Sequence, residues 1–421
     1  MNMSSSFPQI IYGKLVGNND SGYRIIAWNH QENPHPILPP YRFWGESSPN
    51  VDNIKTVGLV WDNNQPILIQ ATAAINTSTN QSFRFTNTQR GFTQYRYVFL
   101  TSEFLTQIQG RIDQLLQWLY DQTIDTYYEV NQNLQNLAIP LPLETNNDLE
   151  RVQYFLNNYN HSLISYTQDC LFSNKRVLVT PDQSSFQTNG FFQTLLLLLP
   201  LAIRCKISLA IGTIDEKSCN WANLIIKLNQ PTGGFFNQIR VSDDVVWLNQ
   251  VVNEKQKKLP FNSNYVNCLQ LITQSSDQLP NLLNQLNQMN SDTITLTNPI
   301  HPQGIIPLIQ FLPSEQQREY LSNYLSQLNS EQELQTTIDL IDNEKGINDA
   351  WDYLIRNLIQ VNSTQHNQNQ YPKLAVKLWT KMNVNQQIHL LDNELNNNLP
   401  LAEKLIYHNL LDHFTTEEIA S

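Results

Sequence analysis

Phe191–Ile211 reads FFQTLLLLLPLAIRCKISLAI and is the most apolar stretch of the chain. Leucine fills 195–199. A helix over 191–203 therefore has no polar stripe, which predicts burial on most sides. Pro200 interrupts that helix, because proline lacks an amide donor and crowds the preceding turn. Lys206–Ile211 alternates and reads as a strand, and Lys175–Thr180 (KRVLVT) reads as another. The spacing predicts a strand–helix–strand centre around which the rest is arranged. The apolar run is too short and too broken for a membrane span, which takes about 20 apolar residues.

Upstream of this centre the signals are mostly β. Gln9–Val16 and Gly22–Asn29 read as two strands across a turn at Gly17-Asn18-Asn19-Asp20. Lys55–Asp62 and Gln65–Ile75 form a second hairpin joined by Asn63-Asn64, and Gln81–Thr86 and Phe92–Leu100 alternate. These segments predict a mostly antiparallel sheet with one buried face. One amphipathic helix is expected over Ser102–Gln122, capped by Thr101 or Ser102, and a second over Asn147–Phe172. After the centre, Trp221–Leu228 reads as a strand and Ile239–Leu248 as an edge strand. From about residue 255 strand signals nearly vanish. Leu recurs at helical spacing even in the Asn/Gln-rich NLLNQLNQMN of 281–290. Ser314/Gln317, Ser330/Glu333 and Thr415/Glu418 have the spacing of capping boxes. The expectation is an α+β domain over 1–252 and an all-α helical bundle or irregular set of helix pairs over 262–421. The polar, Pro260-containing segment 252–262 is the expected boundary.

The 421-residue chain has a formal net charge of −11 and a pI near 5.2. That balance argues against a nucleic-acid or anionic-membrane surface, which needs a basic patch. The cluster Lys255, Lys257 and Lys258 reads as a solvated linker. Cys170, Cys205, Cys219 and Cys268 make no C-x-x-C pair and so suggest no zinc or redox site. The start of the chain lacks the apolar region of a signal peptide, so a reducing cytoplasm is the expected setting.

Compact catalytic motifs are missing. Gly212–Ser218 ends in Lys-Ser as a P-loop does, but Glu216 stands where such a loop needs a glycine, and Asp215 and Glu216 would repel the phosphates. There is no G-x-G-x-x-G, G-x-S-x-G or H-E-x-x-H. Cys170 and His161 are nine residues apart on one expected helix, too far for a hydrogen bond along it. No catalytic, cofactor or metal residues are assigned. The one candidate for recognition is Tyr41-Arg42-Phe43-Trp44, inside a Pro-rich loop that holds Pro34, Pro36, Pro39 and Pro40. Aromatics and arginine dominate binding hot spots. The competing reading is that the loop packs onto its own sheet.

Three segments carry a family resemblance. Gln9-x-x-Tyr12-Gly13 is followed by Gly22-Tyr23-x-x-Ile26-Ala27. Arg90-Gly91 precedes Tyr95-Arg96-Tyr97-Val98-Phe99-Leu100. The third is Leu199-Pro200-Leu201-x-x-Arg204-x-x-x-Ser208. Over roughly residues 8–230 the chain resembles the N-terminal domain of GTPase-associated proteins of prokaryotic NTP-dependent conflict and signalling systems. It departs from the family pattern at Trp28-Asn29 and at Leu209–Thr213. The resemblance implies a non-catalytic adaptor or regulator whose partner is a GTPase or another NTPase. The alternatives are an enzyme, for example a Cys/His hydrolase assembled from distant residues, and a structural subunit of a larger assembly.

Overall fold

A computed structural model describes residues 3–15, 22–29, 37–43, 54–74, 92–124, 130, 134–141, 147–158, 161–180, 190–212, 218–226, 240–241, 245–249, 264–274, 276–296 and 301–312, with scattered positions from 316 to 337. The chain divides into two compact units, Met1–Pro299 and Ile300–Ser421.

The first unit is α+β and is built on a ten-stranded mixed sheet. In chain order its strands are β2 (Gln9–Gly13), β3 (Arg24–Trp28), β4 (Ile54–Asp62), β5 (Gln65–Ala74), β6 (Phe92–Phe99), β8 (Arg176–Thr180), β9 (Leu209–Ile211), β10 (Leu224–Ile226), β11 (Arg240–Val241) and β12 (Val245–Asn249). Across the sheet they run β11-β12-β8-β10-β9-β4-β5-β6-β2-β3. From β9 to β3 every pairing is antiparallel, whereas β9, β10, β8 and β12 are parallel. The expected strand–helix–strand centre supplies β8 and β9, and β10 pairs between them. The hairpin turn is as expected: Asn63 and Asn64 have φ of 46° and 68°, the left-handed pair that matches strand twist in a two-residue loop. The segment 239–248 is a hairpin rather than one edge strand, with β12 inside the sheet and β11 at its edge. A separate two-stranded sheet pairs β1 (Met3–Phe7) with β7 (Leu137–Leu141). Neither was expected, because MSSSF is polar and LAIPL carries a proline.

The helices are α1 (Ser102–Gln107), α2 (Ile112–Asp121), α3 (Asp148–Asn158), α4 (His161–Phe172), α5 (Gly190–Leu197), α6 (Leu201–Lys206), α7 (Asn264–Thr273) and α8 (Leu279–Gln288). Thr101 caps α1 as expected, its hydroxyl accepting from the Phe104 amide at 3.2 Å. The single helix expected over 102–122 is two, because Gln109 and Gly110 adopt left-handed φ of 53° and 61°. Gly110 is held there by close packing, since a Cβ would lie 3.1 Å from the Arg204 Cβ. Of the helix expected over 147–172 the described residues form α3 and α4, and residues 159 and 160 lie outside them.

The sheet is also buried on both faces rather than one. Thr93 to Val98 of β6 are all buried. Lys55, Gln70 and Arg96 face α2, while Tyr95 and Tyr97 share the opposite face with Phe43.

α7 and α8 lie on the N-terminal side of the division at 299, contrary to the boundary expected at 252–262. Their apolar stripes are consumed by helices of the first unit: α7 packs on α4, and α8 on α3 and α6. Leu279, Leu282, Leu283 and Leu286 of α8 are buried, while Asn281, Asn284 and Gln288 face solvent. The Asn/Gln-rich run is thus a helix with an uncharged polar face. In the second unit the described residues include α9 (Pro302–Ile309), capped by His301 Nδ1. Gln317, expected to close a capping box, instead donates to the carbonyls of Gln310 and Leu312 at 3.2 and 2.7 Å. The other two capping boxes and most of the expected helical domain lie outside the described residues.

Candidate functional site

The described part of the Pro-rich loop, residues 37–43, lies across the face of the sheet opposite α2. Phe43 is fully buried in a cluster with Ile69, Tyr95, Tyr97 and Ala210. Its ring stacks on Tyr95 at 6.5 Å between centroids and meets Trp221 at 5.7 Å. Room for it comes from Gly58, where a Cβ would stand 2.6 Å from the Leu209 carbonyl oxygen and 3.2 Å from the Phe43 ring. The backbone of the loop is tied down as well. Trp221 Nε1 donates to Arg42 O at 2.9 Å, and the Cys219 thiol lies 3.7 Å from Phe43 O.

Arg42 holds the loop from the other side. Its guanidinium lies over three tyrosine rings, with Cζ 4.9 Å from the Tyr12 centroid, 5.4 Å from Tyr95 and 5.6 Å from Tyr97. Nη1 donates to Pro39 O at 2.6 Å and Tyr41 O at 2.9 Å, and also to the Tyr97 hydroxyl. That hydroxyl in turn donates to Tyr41 O at 2.9 Å. Burial pushes the Tyr97 phenol well above its ordinary range despite Arg42, which draws it down. Tyr41 is half-buried against Trp221, and its phenol is raised by burial and by the Asp62 carboxylate. The structure therefore brings Tyr41, Arg42 and Phe43 together but sinks Phe43 into the core, where a partner cannot reach it. Trp44 lies outside the described residues.

The family-like segments are brought together too, as framework. In Leu199-Pro200-x-x-x-Arg204, proline ends α5 by biasing Leu199 away from helical backbone and withholding an amide. Arg204, fully buried on α6, points back and donates to Leu199 O through Nε at 3.2 Å and Nη2 at 3.0 Å. Its Nη1 reaches Gln109 O at 3.2 Å, in the turn between α1 and α2. The remaining contacts of α6 spread in other directions. Trp61 Nε1 of β4 donates to Cys205 O at 2.9 Å, and the Ala202 amide donates to Met289 O at 2.9 Å. Four residues beyond Arg204, Ser208 accepts from the amides of Trp61 at 3.4 Å and Asn223 at 2.8 Å, which joins β9 to β4 and to the start of β10. A six-residue helix is thus the joint of the first unit.

Around Arg204 lies a group of buried charges. Arg111 pairs with Asp148 of α3, and Asp113 is buried in the first turn of α2. Burial lowers Arg204 to about 10 and raises the Asp113 carboxyl, an effect that Arg111 and the Gln114 amide oppose. A second polar cluster caps the C-terminus of α2. Gln70 donates to the carbonyls of Leu119 at 2.9 Å and Gln122 at 2.7 Å, and Arg96 donates to Thr123 O at 2.8 Å and Gln70 Oε1 at 3.1 Å. A cation suits the negative end of a helix dipole. With one buried face expected, Gln94 and Arg96 of the alternating 92–100 segment belong to the open side, opposite the tyrosines. The missing signal was that a helix C-terminus needs such donors.

The cysteines do not assemble a nucleophile. All four are free and buried. Burial pushes Cys170 and Cys205 up to about 11, and Cys268 higher still. A nucleophilic cysteine needs the opposite shift, toward thiolate. Among the described residues, no group of three His, Cys, Asp or Glu side chains could hold a metal ion, and no helix is long and apolar enough to cross a membrane. No protein-family model matches the chain, and no curated protein matches it.

Proposed function

We propose that the chain is a non-catalytic adaptor or regulatory protein of a prokaryotic NTPase-based conflict or signalling system, acting in the cytoplasm on a GTPase or related NTPase. The observation that supports this reading most is the employment of the residues that carry the resemblance. Arg96 caps α2, Tyr12, Tyr95 and Tyr97 surround Arg42, and Arg204 and Ser208 knit α6 and β9 to their neighbours. Each side chain has a positioning task inside the first unit. None stands as a nucleophile beside a base, the arrangement covalent catalysis needs. Side chains committed to the frame leave function to a site on its surface.

The Cys/His hydrolase alternative has no comparable support, because the thiols of Cys170 and Cys205 are raised by burial rather than lowered. The test is affinity purification of the full chain from its native cells, with mass spectrometry of what is retained. The adaptor reading expects an NTPase in stoichiometric amount. A chain recovered alone that turns over a small substrate contradicts it.

A further inference from the structure

The cations and rings beside the Pro-rich loop form a row. Lys14 Nζ sits 4.9 Å from the centroid of Tyr23, Tyr23 lies 5.8 Å from Tyr12, and Arg42 Cζ lies 4.9 Å beyond Tyr12. The row is fixed in place. Tyr23 accepts from the Thr93 amide at 3.0 Å, Gln94 Nε2 donates to Lys14 O at 3.4 Å, and Arg42 is held by Pro39, Tyr41 and Tyr97. Lys14, Tyr23, Tyr12 and Arg42 are each half-buried, so their edges remain accessible.

The chemistry of this fixing matters. Each cation is held by a ring face and not by a carboxylate; among the described residues the ion pairs are Arg111–Asp148 and Lys206–Asp292. A ring quadrupole attracts a cation without neutralising it. Among the described residues neither cation pairs with a carboxylate, on a chain whose overall charge is −11. Among the described residues the hydrogen bonds of the Arg42 guanidinium all run through Nη1, and its Nε–Nη2 edge is the one offered to an acceptor. Because the row is ordered already, a ligand binding there loses less to side-chain ordering.

We propose that the row Lys14–Tyr23–Tyr12–Arg42 is the docking surface for an extended acidic peptide segment of the partner, with one carboxylate toward Lys14 and another toward Arg42. This rests on the adaptor reading and gives its partner a chemistry. The two cations stand at opposite ends of the series, with the rings of Tyr23 and Tyr12 between them.

The experiment titrates a fluorescent, end-blocked Glu/Ser peptide of about ten residues into the full chain and follows anisotropy at low salt and at about 0.15 M salt. The expected result is binding that weakens with salt and weakens about fivefold in Lys14→Gln, whose melting curve matches the parent. Lys14 is the variant of choice because Arg42 also holds the loop. No binding, binding unchanged in Lys14→Gln, or equal binding of a single-stranded oligonucleotide overturns the proposal. If the peptide fails but native purification still recovers an NTPase, the surface is wrong and the adaptor reading survives. If the peptide binds through Lys14 and no NTPase is recovered, the surface stands and the adaptor reading falls.

Discussion

Asp113 shows how far burial can bias a single residue. Its carboxyl is buried beside Arg111, Asp148 and Arg204, and burial raises its pKa in the folded chain. A raised carboxyl binds a proton more readily folded than unfolded. Its contribution to stability is therefore complete below the ordinary aspartate value of about 3.9, and is lost as pH rises through the raised folded value. Asp113→Asn removes that titration. Melting curves of both proteins between about pH 4 and about pH 7 should show the parent losing stability relative to the Asn variant as pH rises. Parallel pH profiles would mean that Asp113 is ionised throughout and paired well enough to offset its burial.

At the scale of elements, the 37–43 segment behaves as a strap across the sheet. Phe43 fills the space left by Gly58 and is fully buried. Phe43→Ala should cost about 3–5 kcal/mol, the usual price of removing a buried aromatic. Chemical denaturation measures this directly, and a loss under about 1 kcal/mol would return Phe43 to the surface role its neighbours first suggested. The composition Tyr-Arg-Phe was legible in the sequence, but its destination was not. Hot-spot and core composition overlap, and only the register of β4 shows that Gly58 opens a slot at that point. The division of α1 from α2 was hidden for a similar reason. An apolar stripe runs through Leu105, Ile108, Ile112 and Leu115 without a break, and the left-handed turn at Gln109 and Gly110 is imposed by Arg204, which packs against Gly110 and is distant in sequence. Local periodicity carries the strands β2 to β6 well, because each has its own alternation. β1 and β7 escape it because neither is amphipathic.

For the whole molecule, the strand–helix–strand centre was readable because Leu195–Leu199 leaves no polar face, and it does lie at the heart of the first unit. The boundary was not readable. A polar, Pro-containing linker at 252–262 looks like a division, yet the helices after it bury their leucines on α3, α4 and α6. A fragment ending at 299 should therefore unfold cooperatively, whereas one ending at 257 exposes the α4 surface that Tyr265 covers and should aggregate or melt earlier. Equal melting curves for the two fragments would restore the earlier boundary. If the family-like residues build a frame, removing its joint must cost stability. Equilibrium unfolding of the full chain carrying Arg204→Met tests this most directly. The substitution keeps an apolar side chain but strands the carbonyls of Leu199 and Gln109 and leaves Asp113 without one of its cations. The predicted result is a loss of about 3 kcal/mol or more. An unfolding curve identical to the parent, together with loss of the recovered partner, would make Arg204 a functional residue and contradict the account.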